Sequence, residues 1–195
     1  MENTTPNPEP FNTMIDIETL GRRPFCPVLS IGACVFRTDV DPDTVAPAEL
    51  IADVFYQGID LQSCLDLGLK LDADTLAWWM QQSPAALKAA FEDPNRVSLP
   101  MALDAFTTWV NSRPLIVWGN SARFDLGIIE AAYTACGKSS PWEFRNERCY
   151  RTMKSIPEAR GIECPKYGVH HNALDDAISQ SLHLAAINKR LCLQL

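Results

Sequence analysis

Long apolar runs are missing from this 195-residue chain. None approaches the roughly 20 residues that a membrane-spanning helix requires, so no membrane partner is expected. The opening MENTTPNPEPFNT has no basic region and no apolar stretch, and so does not read as a secretory signal. It holds three prolines and no aliphatic residue. That composition predicts a disordered leader over residues 1–10 and a single domain over 11–195. Among the seven cysteines (26, 34, 64, 136, 149, 164 and 192) no two stand as C-x-x-C, and the count is odd. Reduced thiols in a cytoplasmic protein fit better than a disulfide framework or a zinc site. Positive charge is also scarce: 17 Lys and Arg face 24 Asp and Glu, a net charge of −7. This argues against a strong nonspecific grip on long duplex nucleic acid. It leaves room for an enzyme that meets a strand end through a local basic cluster and metal ions. No internal repeat is present.

What is present reads as alternating strands and helices. Strands are expected at 13–18, at Val28–Arg37 and at Asp53–Ile59, with Gly21, Pro24 and Pro27 marking a first loop and 38–50 an acidic turn. Their short connections favour antiparallel pairing. A helix is expected from Asp72 through LAWWMQQ, another behind the Ser83–Pro84 N-cap, and a third over Leu99–Asn111. Trp78, Trp79 and Trp109 read as core, with base stacking by one of the 78/79 pair as the alternative. Leu115–Gly119 is a continuous apolar run, as in a central buried strand. A loop over 120–124 then leads to a helix over Asp125–Cys136. Four positive charges and one negative lie between Arg145 and Lys154, around a short strand near Glu147–Tyr150. The last helix is expected over 173–190, its inner stripe formed by Leu174, Ala177, Ile178, Ser181, Leu182 and Ala185. Strands followed by helix–strand–helix predict one mixed sheet with helices packed on it, an α/β fold.

Three stretches carry chemistry. In Met14-Ile-Asp16-Ile-Glu18-Thr-Leu-Gly21, two carboxylates stand two apart on a strand and so share a face. Their repulsion raises both pKa values, and a divalent cation is the natural counter-charge. In Trp118-Gly-Asn-Ser-Ala-Arg-Phe-Asp125, a buried strand delivers an aspartate to a helix start, where sites gather in open α/β sheets. In His170-His-Asn-Ala-Leu-Asp175-Asp176-Ala, Asn172 is an N-cap and Asp175 takes the capping-box position. That leaves Asp176 and His171 free to reach a common point. His170–Asp175 has the same spacing, but the capping argument and Ala173, Leu174 and Ala177 favour His171–Asp176. His170 and His183 have no comparable partner.

Taken in order, MIDIETLG, NSARFDLGIIEAAY and HNALDDA resemble the DEDD exonuclease superfamily in its histidine subclass, the DnaQ-like or ribonuclease T-like 3′–5′ exonucleases. The likeness spans residues 14–177. TLAWWMQQSPAAL and RNERCYRTM are similar to the exodeoxyribonuclease VIII-like or Rv2179c-like branch. The resemblance implies a ribonuclease H-like mixed sheet, three antiparallel strands continued by parallel ones and flanked by helices. It implies that Asp16, Glu18, Asp125 and Asp176 surround two Mg²⁺ or Mn²⁺ ions and that His171 is the general base. Thr19, Leu20 and Gly21 would meet the terminal nucleotide, with Leu20 either an apolar wedge on the base or a strand-end core residue. Arg22, Arg23, Arg123, Arg148 and Arg151 are candidate phosphate contacts. The implied partners are single-stranded DNA or RNA 3′ ends, and dimers are common among such proteins. An oligoribonuclease-like hydrolase of very short RNAs is the alternative. A non-catalytic binding module on the same fold is a third reading, against which all five positions are filled.

Overall fold

The computed structural model describes residues 11–110 and 115–193. The expected leader over residues 1–10 and the last residue of the Leu99–Asn111 helix lie outside them. The strands are β1 (Phe11–Thr19), β2 (Val28–Phe36), β3 (Ile51–Gly58), β4 (Leu115–Gly119) and β5 (Glu147–Cys149). The helices are α1 (Pro47–Leu50), α2 (Leu61–Asp66), α3 (Ala73–Trp79), α4 (Pro84–Phe91), α5 (Leu99–Val110), α6 (Gly127–Ala135), α7 (Tyr150–Ser155) and α8 (Ala173–Leu191). One five-stranded sheet runs in the order β3-β2-β1-β4-β5. β1, β2 and β3 pair antiparallel, and β4 and β5 continue the sheet in parallel. This is the mixed sheet that the resemblance implied.

The two-residue alternation of β1 divides the molecule into layers. Ile15 and Ile17 enter the core formed with Leu103 and Phe106 of α5 and Ile129 and Ala132 of α6. Met14 enters the opposite core, with Ala177, Leu184 and Ala185 of α8. Asp16 and Glu18 continue the Met14 face toward the strand's carboxyl end.

A missing side chain brings α8 onto that face. Gly32 of β2 stands directly across from Asp16. A Cβ there would lie 2.2 Å from both the carbonyl carbon of Ala173 and the nitrogen of Leu174. The first turn of α8 therefore rests on bare strand backbone beside Asp16. Asn172 caps this turn, its Oδ1 accepting from Leu174 N at 3.1 Å and Asp175 N at 3.2 Å. The capping box does not close as expected. Asp175 Oδ2 accepts instead from Val169 N at 2.7 Å, tying down the preceding loop.

Other departures have local causes. Pro47 starts the short helix α1 inside the expected acidic turn, and Asp60 caps α2, which had no periodicity long enough to read. Tyr150 opens α7 rather than ending β5. The buried arc of α8 is wider than the expected stripe and includes Gln180, His183 and Asn188. Among the described residues all seven cysteines are free, and no helix is long and apolar enough to cross a membrane.

We expect Gly32→Ala to destabilise the fold by about 1–3 kcal/mol, the usual range for overpacking. That corresponds to a melting point lower by several degrees, at about 2–4 °C per kcal/mol for a chain of this size. An unchanged thermal melt would contradict the packing of α8 described above.

Candidate active site

Asp16 and Glu18 are 7% and 8% exposed, and Asp125 is 2% exposed. Asp125 does not start a helix after a loop, as expected, but sits in a π-helical turn, Ala122–Leu126, that runs straight into α6. Such a turn inserts a residue and re-aims a side chain. The turn closes on itself: Asp125 N donates to Ser121 O at 2.9 Å, and Asp125 Oδ2 accepts from Ser121 N at 2.8 Å. Gly119, at the end of β4, leaves room, since a Cβ there would lie 3.0 Å from Asp125 Cβ. Asp176 arrives on the first turn of α8. Oxygens of Asp16, Glu18 and Asp176 lie within 4.8 Å of one another.

These groups line one cavity of about 1000 Å³. Burial pushes Asp16 well above the usual carboxylate range, and repulsion from Asp125 and Glu18 adds to it. Burial, then Asp176 and Asp125, pushes Glu18 up to about 8. Asp125 rises to about 7, again through burial, against the pull of backbone N–H donors and of Arg151. Asp16, Glu18 and Asp176 present oxygen donors within reach of one another, the ligand type a hard divalent cation takes, and Asp125 lines the same cavity.

Gln180 belongs to the same cluster, and the sequence reading missed it. Its Nε2 donates to Asp16 Oδ1 at 2.8 Å, while its buried Oε1 has no partner. The signal was available: Gln180 follows Asp176 by four residues and so shares its helix face.

His171 adopts a left-handed backbone conformation, φ 66°. Its N–H donates to Asp176 Oδ2 at 3.0 Å. Its ring lies edge-on to Trp78 and Trp79, at 4.9 and 6.0 Å, and stacks on His170 at 3.8 Å. Burial holds its pKa below the ordinary 6.5, with His170 adding and Asp176 opposing. The ring is therefore neutral at pH 7 and able to accept a proton.

The remaining candidates divide. Thr19, Gly21, Arg22 and Arg151 line the cavity. Leu20 does not. Its side chain is 1% exposed and packs with Leu29, Trp79, Ala86 and Ala90, so the expected wedge is a core residue. Arg123 faces a separate hollow of about 540 Å³, because the π turn directs it away from Asp125. Arg148 is turned aside as well, its guanidinium donating to the carbonyls of Arg145 and Glu147 at 2.8 and 2.9 Å. Arg23 is exposed and lies outside the lining of the cavity. Lys154 and Lys166 line the cavity instead. Trp79 is buried and pins the end of β1, its Nε1 donating to Thr19 O at 2.9 Å. Trp78, expected in the core, is 41% exposed and lines the cavity. His183 is structural, with its ring between the Tyr150 hydroxyl and Ile162 O.

Residues 11–188 match the model of the Rv2179c-like 3′–5′ exoribonuclease domain. The chain belongs to this family. It is thus a 3′–5′ exonuclease, a hydrolase. No curated protein sequence matches the chain. Among solved structures, the nuclease domain of 3′hExo, described as a DEDDh family member bound to rAMP, superposes with a TM-score of 0.59 at 11% identity, covering 94% of each chain. Cell-death related nuclease 4 (CRN-4) gives a TM-score of 0.49 at 11% identity, over 92% of this chain and 64% of that one. The 3′hExo likeness shows that this Rv2179c-like chain has the DEDDh nuclease fold.

The raised carboxylates make a linkage prediction. Without cations the folded state holds protons that the unfolded state releases. Stability is then fully present below about pH 4, the unfolded carboxylate range. It is lost as pH rises through the folded values, about 7 for Asp125 and about 8 for Glu18. In EDTA the melting temperature should fall across that window. Asp125→Asn or Glu18→Gln should flatten the fall, and saturating Mg²⁺ should remove it. A wild-type melting point that is level or rising there contradicts the electrostatics.

Proposed function

We propose that the chain removes nucleotides from single-stranded 3′ ends and releases nucleoside 5′-monophosphates. The observation that carries this reading is the convergence of Asp16, Glu18, Asp125, Asp176 and His171, from four separate elements, on one cavity. The carboxylates would hold two Mg²⁺ or Mn²⁺ ions, which would stabilise the attacking and leaving oxygens of an in-line displacement at phosphorus. His171 accepts the proton of the attacking water at a ring nitrogen. Its neutral state suits that role, and its backbone bond to Asp176 fixes it beside the carboxylates. Gln180 holds Asp16 by one oxygen and leaves the other free to face a cation.

Exposed Trp78 offers a ring face for a base to stack on. Arg151 and Lys154, on one side of α7, and Lys166 across the cavity supply phosphate contacts. Thr19 and Gly21 supply strand-end backbone to the terminal nucleotide. The family's description names an exoribonuclease, which supports RNA as the substrate. The net charge of −7 supports short single strands over long duplexes, and very short RNAs are the second reading. Labelled single-stranded RNA, single-stranded DNA and a dinucleotide, each with Mn²⁺ and with EDTA, separate these substrates. No cation-dependent mononucleotide release from any of them contradicts the proposal.

His171→Ala should lower kcat by about 10²–10⁴-fold, the usual worth of a general base, with an unchanged thermal melt. A variant keeping more than about half the wild-type rate would remove that role, since half is far above the loss expected. Trp78→Ala should act mainly on KM, because stacking is worth about 1–3 kcal/mol per base. A pure kcat effect would place Trp78 elsewhere in the reaction.

A further inference from the structure

The carboxylate cluster is not the only metal-ligating arrangement in the cavity. His170, His171 and Asp176 form a second one, in which one ligand atom from each lies within 4.8 Å of the others. The His170 and His171 rings are stacked at 3.8 Å and inclined by only 26°. His170 Nδ1 already lies 3.2 Å from Asp176 Oδ1. The left-handed backbone of His171 lies just before the start of α8. The donor sets of the two clusters differ in kind. Asp16, Glu18 and Asp176 offer only oxygen, which suits Mg²⁺ and Mn²⁺. Two imidazoles with one carboxylate suit a borderline ion such as Zn²⁺, which takes nitrogen ligands and is content with four. Asp176 belongs to both.

We infer that His170, His171 and Asp176 form a Zn²⁺-binding site whose occupation shuts off the nuclease. A Zn²⁺ ion there takes up the ring nitrogen lone pair of His171 and draws Asp176 out of the carboxylate cluster. Proton acceptance and the hard-cation site are then lost together. The position is reachable, since the His170 side chain is 79% exposed. His170 gives the inference its handle, because the proposed hydrolysis assigns it neither the proton transfer nor a hard cation. Binding of Zn²⁺ stands apart from the nuclease reading, and the inhibitory consequence rests on it.

The test pairs calorimetric Zn²⁺ titration, with Mg²⁺ in excess, with Zn²⁺ inhibition of Mg²⁺-supported RNA hydrolysis, on the full chain and on His170→Ala. The wild type should bind one Zn²⁺ and be inhibited over the same concentration range. Loss of even an outer-sphere partner weakens metal sites by about 10–100-fold. His170→Ala should therefore bind Zn²⁺ and be inhibited by it at least about tenfold more weakly. Inhibition is read in each protein relative to its own Zn²⁺-free rate, since His170 also touches His171 and Asp176. Equal Zn²⁺ affinity and equal inhibition in the two proteins would overturn the inference, placing the ion on the carboxylates. A wild type that binds Zn²⁺ through His170 but shows no cation-dependent hydrolysis would sink the inhibitory half together with the nuclease reading. A wild type that binds no Zn²⁺ would sink the site itself.

Discussion

The burial of carboxylates side by side governs this molecule. Asp16, Glu18 and Asp125 are each less than a tenth exposed. Isolated ionised carboxylates are not kept in such surroundings unless something positive joins them. Little in the protein provides it: the Gln180 amide is neutral and engages a single oxygen of Asp16, and Arg151 only partly offsets the burial of Asp125. Without a cation the cluster holds protons, and we propose that a hard divalent cation is what lets it ionise.

Much of the architecture follows from holding that cluster together. The pleat of β1 puts Asp16 and Glu18 on one face, the face shared with α8. Gly32 lets α8 settle on the neighbouring strand, so its first turn brings Asp176 within reach. The π turn after β4 buries Asp125 and holds it through Ser121. Trp79, anchored to Thr19 O, keeps the end of β1 in place and supports the ring of His171. Mechanical support and chemistry thus share residues, as is common where side chains must be held to fine tolerances.

The sheet, and the gathering of the five candidate residues on one cavity, were legible because three motifs, each weak alone, stand in order along the chain. D-x-E on an apolar strand, an aspartate after a buried strand, and a histidine beside a capped helix can be read without knowing the fold. The peripheral residues were not legible in that way. Arg123, Arg148 and Leu20 lie beside motif residues in sequence, but adjacency says nothing of direction. The π turn sends Arg123 to another hollow, and the alternation of β5 sends Arg148 outward. Leu20 passes under α4 into a small core of its own. Trp78 and Trp79 show the same limit within a single helix, where neighbours about 100° apart divide between solvent and core. Lys166 and Gln180 reach the site only through tertiary packing, although the spacing of Gln180 from Asp176 was a usable hint.

The central claim is that Asp16, Glu18, Asp125 and Asp176 jointly hold divalent cations in the nuclease site. A crystal soaked with Mn²⁺ and a nucleoside 5′-monophosphate tests it most directly, through the anomalous signal of the metal. The account predicts Mn²⁺ peaks among these four carboxylates, with the phosphate against them and the His171 ring facing it. Peaks elsewhere, or Asp125 turned away from a bound ion, would contradict it.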